Sequence, residues 1–357
     1  MNSTPANSSK TVYYFNRVTH PAFLEILAAE PDIEVHKFAN DSPDGDVEPV
    51  MAAAHAYQID STRAGIPEKF WANEALLANN PNLLLVSTNG AGFDTIDVAA
   101  CTRAGVLVVN QSGANREAVA EHALGLILSV SKRIAETDRA LRASAIPLDR
   151  NNFIGDEVAG KTLGVIGIGN TGSTLTKICT TALAMPVLAY DPYVDAETIA
   201  AYGATKVEFD DLLAQADYVS VHCPRTAETQ NMLDAAAFAK MKPGAYFITT
   251  ARGGIHDEVA LYDALAGGQI KGAGLDVWDP EPPQADHPLL SLENVTASPH
   301  TAGSTFTARE SLGRWAAEQL IDVLNGRRPP RLINTDAWPL FRERYEKLLG
   351  PVSPESN

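Results

Sequence analysis

Short apolar runs bounded by glycine or polar turns alternate with helical patterns along most of this chain. Val12–Phe15 and Ile33–Phe38 read as strands, with a helix at Ala22–Ala29 between them. Asp41–Pro49, acidic and containing Pro and Gly, reads as a loop, and Val50–Ile59 and Leu83–Ser87 as further elements of the same small α/β unit. Val106–Asn110 is another strand. A long helix is predicted from a cap at Asn115 to about Arg142. It is apolar on most sides (Val119, Ala123, Leu124, Ile127, Leu128, Val130, Ile134), which demands burial. Further strands are expected at Thr162–Ile168, Val187–Tyr190, Tyr218–His222, Ala245–Thr250, Gly272–Val277 and Asn294–Ser298, with helices between them such as Asp257–Ala266. Thr305–Leu324 reads as a long helix stopped by Asn325-Gly326. Met1–Lys10 reads as a disordered tail, Ile146–Glu157 as irregular, and Arg327–Asn357 as a Pro-rich tail.

Strand–helix alternation with short loops predicts parallel, doubly wound sheets. A small sheet is complete before residue 110, a second begins only near 160, and a late helix is available to carry the chain back. The simplest arrangement is an α/β protein of two domains. A Rossmann-type parallel sheet (114–305) is inserted in a smaller flavodoxin-like α/β domain (1–113 and 306–357). A length of 357 residues agrees with two cores.

The stretch Gly160–Gly172 gives the second sheet a chemistry. Thr162–Ile168 runs into Gly167-x-Gly169-x-x-Gly172, with a helix expected from Ser173. Gly167 allows a tight turn, Gly169 lets a pyrophosphate approach the backbone, and Gly172 lets helix pack on strand. Val187–Tyr190 then ends in Asp191, 19 residues after Gly172, where a dinucleotide fold places the acid for the ribose 2′-hydroxyl. Asp191 would repel a 2′-phosphate, and no Arg follows in Asp191-Pro192-Tyr193, so the expected cofactor is NAD rather than NADP.

Charge and cysteine usage narrow the setting. With 28 Lys and Arg against 44 Asp and Glu, the net charge of −16 disfavours nucleic acid and anionic membranes as partners. Cys101, Cys179 and Cys223 are far apart, without metal-ligand spacing, so no metal is expected. No apolar run is long enough to span a bilayer, and the polar N-terminus lacks the apolar stretch of a signal peptide. A cytoplasmic protein is expected.

Three polar residues stand just past strands of the second sheet: Arg252 after Ala245–Thr250, Glu281 after Gly272–Val277, and His300 after Asn294–Ser298. Such strand ends are where open α/β sheets bind ligands. Each alone is ordinary: a strand-end His is more often structural, and Arg beside Gly-Gly or Glu in a Pro-rich loop is usually a surface charge. Together they suit oxidation of a 2-hydroxy acid. His serves as acid or base, a carboxylate favours its charged form, and Arg forks onto a substrate carboxylate. Cys223, in His222-Cys223-Pro224, is a poor candidate nucleophile because no motif places a base beside it. Arg63 and Arg116 are read as surface charges in preference to a substrate-phosphate site.

From about Leu83 to Asn334 the chain resembles the D-isomer-specific 2-hydroxyacid dehydrogenases, especially the phosphoglycerate dehydrogenase-like and hydroxypyruvate/glyoxylate reductase branches. The resemblance is carried by Ser87–Asp94, Val119-Ala120-Glu121, Gly160–Gly172, Tyr190-Asp191-Pro192, His222-Cys223-Pro224, Thr250-Ala251-Arg252-Gly253, Leu275-Asp276-Val277-Trp278 with Glu281-Pro282, and Ser298-Pro299-His300-Thr301. It implies that Arg252 binds the substrate carboxylate with the backbone N–H groups of Ala91 and Gly92, and that Glu281 pairs with His300, the acid/base. It implies NAD contacts at Gly167, Gly169, Asn170, Thr171, Gly172, Asp191, Cys223, Pro224, Thr250 and Ala251. Asp276 would lie near the nicotinamide amide, and His300 and Gly303 complete the cofactor set. It further implies a small 2-hydroxy or 2-keto acid substrate and a homodimer through the 115–142 helix. Asn170-Thr171 departs from the Arg-Ile of many relatives, Thr249 stands where Asn is common, and Ala143–Phe153 lacks the usual Trp. The chain ends without a regulatory domain, so feedback by serine is not expected. Two rival readings are an NAD-sensing corepressor-like binding protein and a dehydrogenase of another donor such as phosphite.

Overall fold

The structure, a computed structural model, describes residues 9–143 and 149–351. The tail predicted over Met1–Lys10 lies outside these residues up to position 8, and Lys10 itself opens a strand. The irregular stretch and the missing Trp expected around 143–157 fall partly on residues 144–148, also outside.

Two compact units divide the chain, Met1–Asn115 with Phe306–Asn357, and Arg116–Thr305. In the first, five strands, β1 (Lys10–Phe15), β2 (Ile33–Phe38), β3 (Ala56–Ile59), β4 (Leu85–Thr88) and β5 (Leu107–Val109), form a parallel sheet in the order β2-β1-β3-β4-β5. That is the flavodoxin-like order. Both faces are covered, so the strands read as apolar runs rather than alternating ones. Val12, Leu85 and Leu107 pack against Ala316, Leu320 and Val323 of the returning helix Phe306–Leu324. Tyr13, Tyr57, Val86 and Val108 pack on the other side with Val47, Phe70 and Leu76.

The second unit carries β6 (Leu163–Ile166), β7 (Val187–Tyr190), β8 (Thr205–Lys206), β9 (Tyr218–Val221), β10 (Tyr246–Thr249), β11 (Gly272–Leu275) and β12 (Val295–Ala297). Its parallel sheet runs β12-β11-β10-β9-β6-β7-β8. The direction of progression reverses between β6 and β9, which makes the crevice beyond their C-terminal ends the ligand position of an open α/β sheet.

Several local expectations are corrected. Asp44–Ala53 is a helix, not a loop. Asp44 and Asp46 sit in its first turn, where the helix dipole favours acids, and buried Val47 anchors it; Pro49 is accommodated inside. The helix expected over Asn115–Arg142 is two helices, Arg116–Ser131 and Ile134–Ala143. The break has a physical cause. Arg133 takes φ 55°, and the Ser131 carbonyl accepts from the Asp156 amide (2.8 Å) instead of continuing the helix ladder. Only the first helix has buried residues, so the demand for burial inferred for the whole stretch holds for its N-terminal part. The C-terminal tail contains a helix, Trp338–Leu349, with Pro near its first turn, where no N–H partner is lost, and Phe341 and Tyr345 buried four apart. The helix after the glycine turn starts at Asn170 rather than Ser173.

Candidate active site

The glycine turn closes β6 against β9. Gly167 has φ 88°, and a β-carbon there would lie 2.6 Å from the Cys223 amide nitrogen. A side chain at Gly172 would meet the Gly167 carbonyl at 2.2 Å, so helix Asn170–Leu183 can start this close to the strand only with glycine there. Around Gly169 a β-carbon would meet nothing within 4 Å. That open face precedes a helix whose first N–H groups point outward, the arrangement that accepts a phosphate. Asn170 is exposed and Thr171 half-buried at this N-terminus. Asp191 sits at the end of β7 and is oriented by two backbone donors, Ile168 (3.1 Å to Oδ2) and Tyr193 (3.0 Å to Oδ1).

Farther along the sheet, β10, β11 and β12 deliver the three polar residues. Nδ1 of His300 lies 2.8 Å from Oε2 of Glu281. The other Glu281 oxygen accepts the Trp278 amide at 3.1 Å, and the Trp278 indole donates to the Ser298 carbonyl at 3.0 Å. Burial alone would push the Glu281 acid up. The His300 hydrogen bond, the His300 charge, the Trp278 N–H and the Arg252 charge outweigh it and hold the acid below the usual carboxylate range. Glu281 therefore stays ionised at neutral pH, and its stabilising contribution exists above the ordinary carboxylate pKa and is lost only as pH falls through the lowered value.

Arg252 follows β10, with its guanidinium donating to the Ala251 carbonyl at 2.7 Å. Gly253 fixes this loop against the one carrying Glu281: a β-carbon there would lie 1.9 Å from the Trp278 carbonyl oxygen. Asp276 is fully buried. Its carboxylate accepts from the Ser298 hydroxyl (2.6 Å) and the amides of Thr301 (2.8 Å) and Ala302 (3.0 Å). His122, which no sequence reasoning singled out, places Nε2 2.9 Å from the Ser298 hydroxyl.

The remaining predicted residues are placed as follows. Burial raises the Cys223 thiol to about 11, so it holds its proton at neutral pH and is no activated nucleophile. Pro224 is exposed and Gly303 half-buried. Ala91 and Gly92 lie in the turn after β4 of the first unit, where Asn110 donates to the Ala91 carbonyl at 2.7 Å. Arg63 lies over the Trp71 ring and Arg116 is bonded to Glu117.

Residues 124–302 match the D-isomer specific 2-hydroxyacid dehydrogenase, NAD binding domain. The chain belongs to the D-isomer specific 2-hydroxyacid dehydrogenase family. Among curated members, D-3-phosphoglycerate dehydrogenase of Archaeoglobus fulgidus is 43% identical over 245 residues, 69% of this chain and 46% of that one. The Mycobacterium leprae D-3-phosphoglycerate dehydrogenase is 44% identical over 261 residues, 73% of this chain and 49% of that one. This family member thus spans about half the length of the curated relatives it matches. The Aquifex aeolicus D-lactate dehydrogenase, solved with NAD and lactic acid, superposes with a TM-score of 0.74 at 28% identity, over 90% of this chain and 99% of that one.

The matched region includes the glycine turn, Asp191 and the three polar residues, and the chain's own atoms fit the dinucleotide that the family's domain binds. Besides the open face at Gly169, the Thr250 hydroxyl is buried without a protein partner at the C-terminal end of β10. An orphaned hydroxyl is costly unless a ligand satisfies it. Among the described residues, no helix is long and apolar enough to cross a membrane.

Proposed function

We propose that this protein is an NAD-dependent oxidoreductase that interconverts a D-2-hydroxy acid and its 2-keto acid. The observation that carries the reading is the 2.8 Å bond between His300 Nδ1 and Glu281, which fixes the imidazole edge-on and leaves Nε2 for the reacting oxygen. His300 takes the hydroxyl proton in oxidation and returns it to the carbonyl oxygen in reduction. Ionised Glu281 stabilises the charged imidazole that accompanies either half of this cycle. Arg252 holds the substrate carboxylate in a charge-assisted fork, and the resemblance also assigns the backbone N–H groups of Ala91 and Gly92 to the substrate. When bound, NAD carries the hydride. Gly167, Gly169, Asn170, Thr171 and Gly172 would hold its pyrophosphate, Asp191 its ribose, Cys223 and Pro224 its adenosine side, and Thr250, Ala251, Asp276, His300 and Gly303 its nicotinamide side. Unit Arg116–Thr305 is then the NAD-binding domain and the split unit the substrate domain. Relatives named for D-3-phosphoglycerate and D-lactate both act on 2-hydroxy acids, which supports that substrate class.

A homodimer through the Arg116–Ala143 region belongs to the same reading. Helix Ile134–Ala143 buries none of its residues, yet Ile134 and Leu141 are 54% and 63% exposed, with Ile154 nearby in sequence 72% exposed. Ile134 and Leu141 are seven apart and so share one face of this helix, which supports that face as the place where a second copy would pack.

The test is NADH consumption against glyoxylate, hydroxypyruvate, pyruvate, phenylpyruvate and phosphohydroxypyruvate, with NADPH as control. Turnover with NADH is expected for at least one keto acid. Silence across the panel with NADH still bound would overturn the keto-acid reading in favour of a binding protein or a dehydrogenase of another donor. Glu281→Gln should move the alkaline limb of the kcat/KM profile for reduction to lower pH, because the protonated imidazole loses its anionic partner. A profile recorded over pH 5–10 that does not move would separate Glu281 from His300.

A further inference from the structure

We propose that His122 is a positioning residue for His300, acting through Ser298 and Asp276 on the loop that carries the acid/base imidazole. The inference rests on the reading of His300 given above, and on a register between one helix and one strand. Helix Arg116–Ser131 lies on β11. A β-carbon at Gly272 would fall 2.6 Å from Val130 Cγ2, and one at Gly274 would fall 2.7 Å from Leu126 Cβ. Four residues of helix rise about 6 Å and two of strand about 6.6 Å, so the pairing continues without drift. The next pair in the series is His122 with Asp276. The glycines let the helix come this close, and at the strand's end the long imidazole meets the carboxylate instead. His122 Nε2 lies 3.6 Å from Asp276 Oδ1 and 2.9 Å from Ser298 Oγ.

Hydrogen counting fixes the sense of this chain. The Ser298 hydroxyl donates its one hydrogen to Asp276 Oδ1 at 2.6 Å. Ser298 Oγ then accepts from His122, whose Nε2 must carry a hydrogen. The far end of the relay is the His300 segment. The Ser298 amide donates to the Leu275 carbonyl (2.9 Å) and the His300 amide to the Asp276 carbonyl (2.7 Å). The Thr301 and Ala302 amides donate to the Asp276 carboxylate. His300 itself sits at φ 54°, a left-handed conformation that a non-glycine residue keeps only when its neighbours hold it there. Asp276 is the clamp, and its carboxyl is fully buried, so its rotamer depends on every donor that satisfies it. His122 is the donor that keeps Ser298 turned toward the carboxylate.

The series His122→Phe, His122→Gln, Ser298→Ala and the His122→Phe/Ser298→Ala double variant tests this. Phe keeps the ring volume without a donor. Gln offers an N–H at the same reach. With a keto acid that the unsubstituted enzyme reduces, His122→Phe should lower kcat about tenfold, since small misplacements of a reacting group are costly. The KM for the keto acid and the NADH Kd should stay within about twofold, as neither site has lost a contact. His122→Gln should stay within about twofold throughout, and the double variant should be no worse than either single one, because both break one chain of bonds. The second readout is the rate at which diethyl pyrocarbonate modifies His300, followed by peptide mass. It should change in His122→Phe and not in His122→Gln. It needs no turnover, so it tests the relay even where the keto-acid panel is silent. Unchanged kcat and modification rate in His122→Phe, equal damage from Gln and Phe, or additive losses in the double variant would each overturn the proposal. Should His122→Phe fail to fold, Ser298→Ala carries the same expectations alone.

Discussion

Replacing His300 with Ala is expected to lower keto-acid reduction by at least about 10²-fold, the lower end of what a positioned general acid contributes. NADH should still bind. The turn from Gly167 to Gly172, and Asp191 with its two backbone donors, lie at β6 and β7 on the other side of the sheet from β12. A single-turnover experiment with excess protein over NADH separates the two quantities: the binding amplitude persists and the hydride step slows. The residual rate should lose the pH dependence that the imidazole supplied, because the group that produced the profile is gone. The same substitution strands Glu281, which keeps the Trp278 amide but loses its strongest compensating partner. Its acid should therefore move back up toward the usual carboxylate range. Turnover near that of the unsubstituted protein would remove His300 from the chemistry.

The strands of both sheets were legible because each is a short apolar run closed by glycine or a polar turn. Val187–Tyr190 was read to the residue, and Leu163–Ile166 and Tyr246–Thr249 to within two at either end. Helices were harder wherever a local signal opposed a tertiary one. Pro49 and its acidic neighbours argued for a loop, but buried Val47 holds that segment helical. Apolar periodicity ran on past Ser131, and nothing in the sequence announced that the Asp156 amide would claim its carbonyl. Prolines hid helix Trp338–Leu349, although Phe341 and Tyr345, four apart, were its signature.

The site divides in the same way. Arg252, Glu281 and His300 were visible because each follows a strand that ends at the ligand edge of the sheet. His122 was invisible as a functional residue because its partner is distant in sequence and it stands in a mostly apolar helix. The signal existed only as a pair: glycines at alternate positions of a strand before an acid, and a His four residues ahead of two apolar residues spaced by four. Reading it requires knowing that helix and strand lie together, which is tertiary information.

Arg252→Lys is the more informative of the available changes at the residue proposed to bind the substrate carboxylate, and it is expected to reduce kcat/KM for keto-acid reduction by about 10²-fold or more. Lysine preserves the charge but replaces a planar fork of donors by a point charge on a flexible stem. If Arg252 only attracted an anion, the change would be mild. If it orients the substrate so that the carbonyl faces His300, geometry is lost even though charge is kept, and misoriented reactants pay heavily. Arg252 is well placed for orientation, because its backbone is trapped. Gly253 sits against the Trp278 carbonyl with no room for a β-carbon, and its own guanidinium is braced on the Ala251 carbonyl at 2.7 Å. Arg252 also lies close enough to Glu281 to help hold that acid ionised, so one residue links the carboxylate site to the His300 pair. A substrate series distinguishes the roles. Loss in kcat/KM that is equal for large and small 2-keto acids would place Arg252 on the carboxylate they share, whereas loss confined to phosphohydroxypyruvate would place it on the side-chain phosphate instead. The first outcome is expected, because the proposed roles of Arg252, Glu281 and His300 all fall on the part of the reaction that every 2-keto acid has in common.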